Sequence, residues 1–320
     1  MSRFRIMVLS VWLVGFACAG TCRAGWIRAW GSNHYGECDA PAGDDFVAVA
    51  GGVWHSLALK ADGSVVAWGS NDYGQCDVPP GNDFVAIAAR GYYSLALRSD
   101  GSLAAWGSND FGQCDIPPGN DFVAIAAGGG HNVALRSDGS LVAWGLNEVG
   151  ECDVPPGNDF VAIAASGWNS LALKADGSLV DWGFALAGHS VCPAGNDFVA
   201  IAAGGWYGLG LKGDGSLVDW SYCGTTWHCP PAAPSGKDFV AIAYGGGHGL
   251  ALRGNGSLVG WIDSGHPYDD PPGNHIVAIA CGDDHNLAIE VPEPSSTAAL
   301  LSVAIGLLGV GWRRRIALRC

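Results

Sequence analysis

The fold class that this chain predicts is all-β, a seven-bladed β-propeller of 38-residue repeats, and three observations predict it. Tryptophan recurs at Trp30, Trp68, Trp106, Trp144, Trp182, Trp220 and Trp261, in steps of 38, 38, 38, 38, 38 and 41 residues. The residue that opens each Val-Ala-Ile/Val-Ala run recurs independently, at Phe46, Phe84, Phe122, Phe160, Phe198, Phe239 and Ile276. Helical periodicity is absent throughout the repeats. A fixed period of this length marks a solenoid, a propeller or an array, and radial repetition of short strands is how a propeller protects its sheet edges. A parallel solenoid is the rival. The ends of the repeat region favour closure: residues 26–30 read as a third strand without its first two, whereas residues 285–290 end a unit that lacks its third. Residues 26–30 are therefore expected beside 285–290, clasping the ring.

In order, the chain divides into residues 1–24, 25–290 and 291–320. The first stretch reads as an export signal, with Arg3 and Arg5, an apolar run over 6–19, and small residues that allow cleavage after Ala19 or Ala24. Cys18 and Cys22 raise a lipoprotein alternative, but neither follows a Leu-x-small pattern. Within 25–290 each unit opens on an apolar run such as 122–126, the pattern of a strand covered on both faces. A glycine turn and a second run, 133–136, follow. Asp-Gly then precedes the third run at Asp62, Asp100, Asp138, Asp176 and Asp214, with Asn255-Gly256 in the sixth unit. Such a pair is a strong hairpin signal because the tight turn needs positive φ. The third run, 141–144, carries the tryptophan, and a loop over 147–150 leads to Cys152-Asp-Val, read as a short outer strand ended by Pro155 and Pro156. Four short strands per unit are thus expected, with alanines where the sheets crowd near the axis and tryptophans filling the wider gaps. Burying ~150–250 Å² per tryptophan at ~25 cal/mol per Å² contributes at most roughly 4–6 kcal/mol each.

Composition gives a chain able to bury a large core, 49% hydrophobic and only 14% charged, with 50 glycines and 16 prolines suited to short elements and tight turns. Setting aside the seven terminal arginines and Glu293 leaves 9 basic and 29 acidic residues in 25–290, a net of −20. Nucleic acid is not an expected partner, because affinity for phosphate backbones comes from Lys and Arg displacing counterions.

Two resemblances follow from quoted motifs. Gly69-Ser-Asn-Asp-Tyr-Gly-Gln75, His55-Ser-Leu-Ala-Leu-Lys-Ala-Asp-Gly63 and Val65-Val-Ala-Trp-Gly69 resemble the repeat of the RCC1 family of seven-bladed propellers, over about 25–290. That resemblance implies the fold. The family's founding member exchanges nucleotide on a small GTPase, an activity the export signal and acidic body argue against here; other members bind proteins outside the cell, including as inhibitors of secreted β-lactamases. The tail has Pro292, Glu293 and Pro294, an apolar run over 298–312, and Arg313, Arg314 and Arg315. This order resembles the PEP-CTERM sorting signal, which implies handling by an exosortase-type membrane enzyme in a Gram-negative-type bacterium. The run is shorter than the ~20 residues of a full span, but its basic end would hold a C-terminal apolar helix at the cytoplasmic face. Residues 316–320, beyond the arginines, depart from the pattern.

Strand direction reverses at each connection, so the glycine turns and the Ser-Asn-Asp loops are expected on one face, and the Asp-Gly hairpins and Pro-Pro-Gly-Asn loops on the other. The first face carries Trp54, Tyr92, Trp168 and Trp206 before second strands, and Tyr35, Tyr73 and Phe111 after third strands. Beside Asn33, Asn71, Asn109 and Asn147, these suit stacking on sugar rings, a protein hot spot, or simple padding of the blade tops. The next position reads His55, Tyr93, His131, Asn169, Tyr207, His248 and His285. Equivalent places lie around a ring rather than converging at ~2 Å on one point, so structural hydrogen bonds are expected and no metal. Cys38, Cys76, Cys114 and Cys152 fall in separate blades, whereas a bridge needs Cα atoms within ~7 Å; they read as small buried hydrophobes. Cys223 and Cys229 are the candidate local disulfide, and His228 and His189 make zinc conceivable there. Asp181 and Asp219, in place of alanine, read as a carboxylate pair or as solvated strand residues. No nucleophile or arginine clamp accompanies them, and no cofactor is expected. The reading is an exported, non-enzymatic binding module of the cell surface or matrix, a monomeric propeller whose partners are an exosortase-type enzyme and an envelope protein or exopolysaccharide. A structural envelope protein without a discrete ligand is one alternative; a polysaccharide hydrolase or lyase using the irregular fifth to seventh units is the other.

Overall fold

The computed structural model of the chain describes residues 24–184, 192–221, 232–262, 273 and 275–292. Their regular elements are strands, in seven three-stranded antiparallel sheets. First in the chain comes β1 (Trp26–Gly31). Blade one holds β2 (Phe46–Gly51), β3 (His55–Lys60) and β4 (Val65–Gly69); blade two, β5 (Phe84–Arg90), β6 (Tyr93–Arg98) and β7 (Leu103–Gly107). Blade three holds β8 (Phe122–Ala127), β9 (His131–Arg136) and β10 (Leu141–Gly145); blade four, β11 (Phe160–Ala165), β12 (Asn169–Lys174) and β13 (Leu179–Gly183). Blade five holds β14 (Phe198–Gly204), β15 (Tyr207–Lys212) and β16 (Leu217–Ser221); blade six, β17 (Phe239–Tyr244), β18 (His248–Arg253) and β19 (Leu258–Ile262). Blade seven combines β20 (Ile276–Cys281) and β21 (His285–Glu290) with β1.

The clasp forms as expected, and the structure supplies its register. Trp26 lies opposite Glu290 and Trp30 opposite Asn286. Glu290, buried, accepts from Trp26 Nε1 at 3.0 Å and pairs with Arg28. In the first six blades the same strand position is Lys60, Arg98, Arg136, Lys174, Lys212 or Arg253, each stacked over the blade's opening phenylalanine and ion-paired with the aspartate before it. Blade seven has Ile276 and His275 there, so the acid that replaces the cation serves the incoming strand instead. Gly25 completes the join by bonding both ways with Phe46. A Cβ on it would come within 2.1 Å of the Glu290 carbonyl oxygen.

Four strands per blade were expected and three are found. The Cys-Asp-Val segment is a turn: Asp77 N bonds Gly74 O, and Val78 N bonds Cys76 O. Local partners take those N–H groups, and Pro79 and Pro80 offer none to a ladder.

Each apolar cluster straddles two neighbouring blades, as where Leu57 and Val65 of blade one meet Phe84, Ile87 and Trp106 of blade two. Among the repeat tryptophans only Trp106 is fully buried, at 7% exposure; the others are half-buried. Their role includes bolting the blades together: the indoles of Trp68, Trp106, Trp144 and Trp182 donate to the backbone carbonyls of Glu37, Gln75, Gln113 and Glu151 in the preceding blade's loop, at 2.8–3.0 Å. Nearest the axis the alanines behave as expected. Ala50, Ala88, Ala126, Ala164, Ala243 and Ala280 line a central channel of about 90 Å³.

The two faces separate as expected. On one, Ser70 N bonds Trp54 O, joining the loop after a third strand to the turn before a second. On the other, Phe84 N bonds Gly63 O, joining an Asp-Gly hairpin to the next Pro-Pro-Gly-Asn loop.

Candidate functional site

The aromatic side chains of the first face stand on rigid loops. In the loop after β4, Asn71 Nδ2 donates to Asp77 Oδ1 at 2.8 Å while its Oδ1 accepts from Cys76 N, and Gln75 Oε1 accepts from Tyr73 N. Asn33, Asn109 and Asn147 make the same pair of bonds. Both ends of each amide are thus engaged within the loop. Glu37 takes the glutamine's place in the loop after β1 and accepts from Tyr35 N, His34 N and Ser32 Oγ. Burial pushes its carboxyl up, but these donors outweigh burial and the net shift is downward.

Four of the seven expected site residues meet in one row. Tyr35 stacks on Trp54 with ring centres 4.5 Å apart, Trp54 lies 5.2 Å from Tyr92, and Tyr92 lies 5.1 Å from Tyr73. The row runs across blades seven, one and two. Phe111 continues the pattern over Gly130, 3.0 Å from where a Cβ would stand. Trp168 and Trp206, about two-fifths exposed, lie in blades four and five. Phe184, which sequence reasoning missed, packs edge-on against Trp206 at 5.1 Å; its signal is its place just after the third strand. Burial pushes the Tyr92 phenol up, and Tyr73, Asp283 and Tyr35 add to it.

Beside the row, Arg90 reaches Asp283 of blade seven at 3.2 Å. Arg90 stands where other blades have Gly52, Gly128, Ser166, Gly204, Gly245 and Gly282, and that break in the repeat was its available signal.

The ring of histidines is a set of latches between blades. Ser94, Ser56 and Ser170 hydroxyls donate to the carbonyls of Gln75, Glu37 and Glu151, so His55, His285 and His131 must donate to them through Nε2, at 2.8–3.0 Å. His248 Nε2 likewise meets Asn286 Oδ1 at 2.8 Å. Each ring lies against a glycine, Gly52, Gly128, Gly245 or Gly282, where a Cβ would come within 2.4 Å of it. Among the described residues no cluster of three or more His, Cys, Asp or Glu side chains could hold a metal ion. Cys38, Cys76, Cys114 and Cys152 are half-buried rather than fully buried, and their thiols donate to loop carbonyls. Burial pushes them up to about 11, far from thiolate chemistry. Asp181 bonds the Cys192 thiol, which burial first and that carboxylate second push up; Asp181 and Asp219 hold the same register in blades four and five. Cys223, Cys229, His228, His189, Glu293, Pro294, Arg313, Arg314, Arg315, the export signal and the C-terminal apolar helix lie outside the described residues; Pro292 lies within them.

The model of the Regulator of chromosome condensation (RCC1) repeat matches residues 46–75, 84–113 and 122–151, each three strands plus the loop that carries Tyr73, Phe111 or Val149. These are RCC1 repeats. The PEP-CTERM protein-sorting motif matches residues 290–315 and indicates export. No curated protein sequence matches the chain. Solved structures similar to it include the following three. Prp20p from Saccharomyces cerevisiae, described with its binding properties to Gsp1p and histones, is 20% identical, covers 89% of this chain and 96% of its own, and has a TM-score of 0.71. Human WBSCR16 is 19% identical over 84% of this chain and 99% of its own, at 0.68. The ectodomain of the Arabidopsis thaliana receptor kinase ACR4 is 23% identical over 76% and 88%, at 0.62. At these identities the likeness establishes the RCC1-like propeller fold alone.

Proposed function

We propose that the chain is an exported, non-enzymatic binding module, delivered by an exosortase-type system to the surface or matrix of a Gram-negative-type bacterium. It engages an envelope protein or exopolysaccharide through the aromatic face of a monomeric propeller. In this reading residues 1–24 are the export signal, 25–290 the propeller and 291–320 the sorting segment. The observation that carries it is the unbroken row of Tyr35, Trp54, Tyr92 and Tyr73, because packed aromatics on rigid supports are the side chains that dominate binding hot spots. Arg90 and Asp283 sit beside them as a charged edge.

The test is capture from the producing organism's envelope and exopolysaccharide fractions with the full chain and with a Trp54→Ala/Tyr92→Ala variant. Saturable capture that the variant loses supports the reading. Equal capture by both removes the row as the site, and repeated absence of a partner favours a structural envelope role.

A further inference from the structure

Cations are distributed unevenly over the ring. The described residues include nine lysines and arginines, and every one is ion-paired: Arg28, Lys60, Arg90, Arg98, Arg136, Lys174, Lys212, Lys237 and Arg253. Eight belong to the hairpin face or the clasp at the same end of the strands. Only Arg90 belongs to the aromatic face, and Asp283 holds it. Exposed acids outside these pairs stand on both faces, Asp62, Asp100, Asp138 and Asp176 at the hairpins among them, but on the hairpin face seven cations share the surface with them. On the aromatic face Asp72, Asp110 and Glu148 are exposed on successive loops, each directly before Tyr73, Phe111 or Val149.

We infer that the aromatic face docks a lysine- and arginine-rich segment of a partner protein. The inference rests on the binding-module reading and names the chemistry of its partner. Two arguments carry it. A cationic side chain is attracted both to the carboxylates and to the faces of exposed tyrosines, where a guanidinium stacks. A neutral sugar could use the same ring faces but gains nothing from the carboxylates beside them, so the charge of the loops favours the cationic side chain. The acidity of the face would also speed encounter with a basic partner and repel an acidic one.

The probe is a synthetic peptide of about 12 residues rich in arginine and lysine, titrated against the purified full chain by fluorescence anisotropy, with an acidic peptide and a neutral oligosaccharide as comparators. Two charge-matched variants separate local recognition from bulk attraction to an acidic body. One is Asp72→Asn/Asp110→Asn/Glu148→Gln on the aromatic face. The other is Asp44→Asn/Asp100→Asn/Asp138→Asn on the hairpin face. Expected are saturable binding of the basic peptide, weakening of about 10-fold on raising salt from about 50 to about 300 mM, and a loss of about 10-fold in the first variant against less than about 2-fold in the second. Equal weakening in both variants, no binding of the basic peptide, or preference for the oligosaccharide overturns the inference. If it falls while Trp54→Ala/Tyr92→Ala still abolishes envelope capture, the binding-module reading stands and only the partner's chemistry is wrong.

Discussion

Buried histidines usually have several options for their second nitrogen, and here three have none. Nε2 of His55, His131 and His285 donates across a blade boundary, while Nδ1 is buried with no partner among the described residues. A proton added at Nδ1 would be buried without an acceptor. Burial accordingly pushes His55 down to about 3 and His131 and His285 to about 4, with His285 weighing on His55 and Arg90 on His131; Glu37 and Asp283 partly offset burial at His285. The sign follows. Between an ordinary imidazole value of about 6.5 and these lowered values, the unfolded chain binds protons that the folded chain refuses, so stability falls as pH falls. Thermal melts from pH 7 to pH 4 should show a loss of up to about 1.4 kcal/mol per pH unit for each histidine, and His131→Asn should flatten that slope. A His131→Asn slope equal to the parent's would refute the latch. At the hairpins, Asp100 accepts from Ser102 N and Oγ, and Asn255 makes the same two bonds with Ser257. Asp100→Asn should therefore shift stability by less than about 0.5 kcal/mol in denaturant titrations.

Among the elements, the third strands are where equal sequence does not give equal burial. Trp106 is closed in by its neighbours and bonded to Gln75, whereas Trp144 makes the corresponding bond to Gln113 but stays half-buried. Trp106→Ala should cost about 3–5 kcal/mol, and Trp144→Ala measurably less, by chemical denaturation of the full chain. The strand pattern itself was legible because tryptophan, phenylalanine and Asp-Gly repeat on one period. The fourth strand was misread because an apolar–polar–apolar triplet resembles a strand until its N–H groups are traced to local carbonyls. The cation over each opening phenylalanine was not visible either: Lys60 and Phe46 are fourteen residues apart, and each looks like an ordinary solvated or core residue until the blade folds. The loop bonds of Asn33, Asn71, Asn109 and Asn147 were equally hidden, since a polar side chain beside an exposed aromatic does not reveal that its amide is engaged.

For the whole molecule, closure was the most legible feature and the site only partly so. Two incomplete units at opposite ends predict one complete blade, and the register of β1 on β21 supplies it. A sequence places aromatics on a face but does not say which of them touch; that depended on the angles of neighbouring loops. Removing residues 26–31 should leave β21 with a bare edge, lower the melting temperature, and enlarge the hydrodynamic radius. A deletion variant that melts and sediments like the parent would show that six blades close without the clasp. The same strand also fixes a direction in space. His285 opens β21 beside the aromatic loops, Glu290 ends it at the hairpin side, and Val291 N bonds His275 there; Trp26 starts β1 at that same end. In the proposed reading, a tether continuing from residue 292 would therefore leave the disc on the hairpin side, as a stalk leaves the underside of a plate, with Trp54 and its neighbours on the far face.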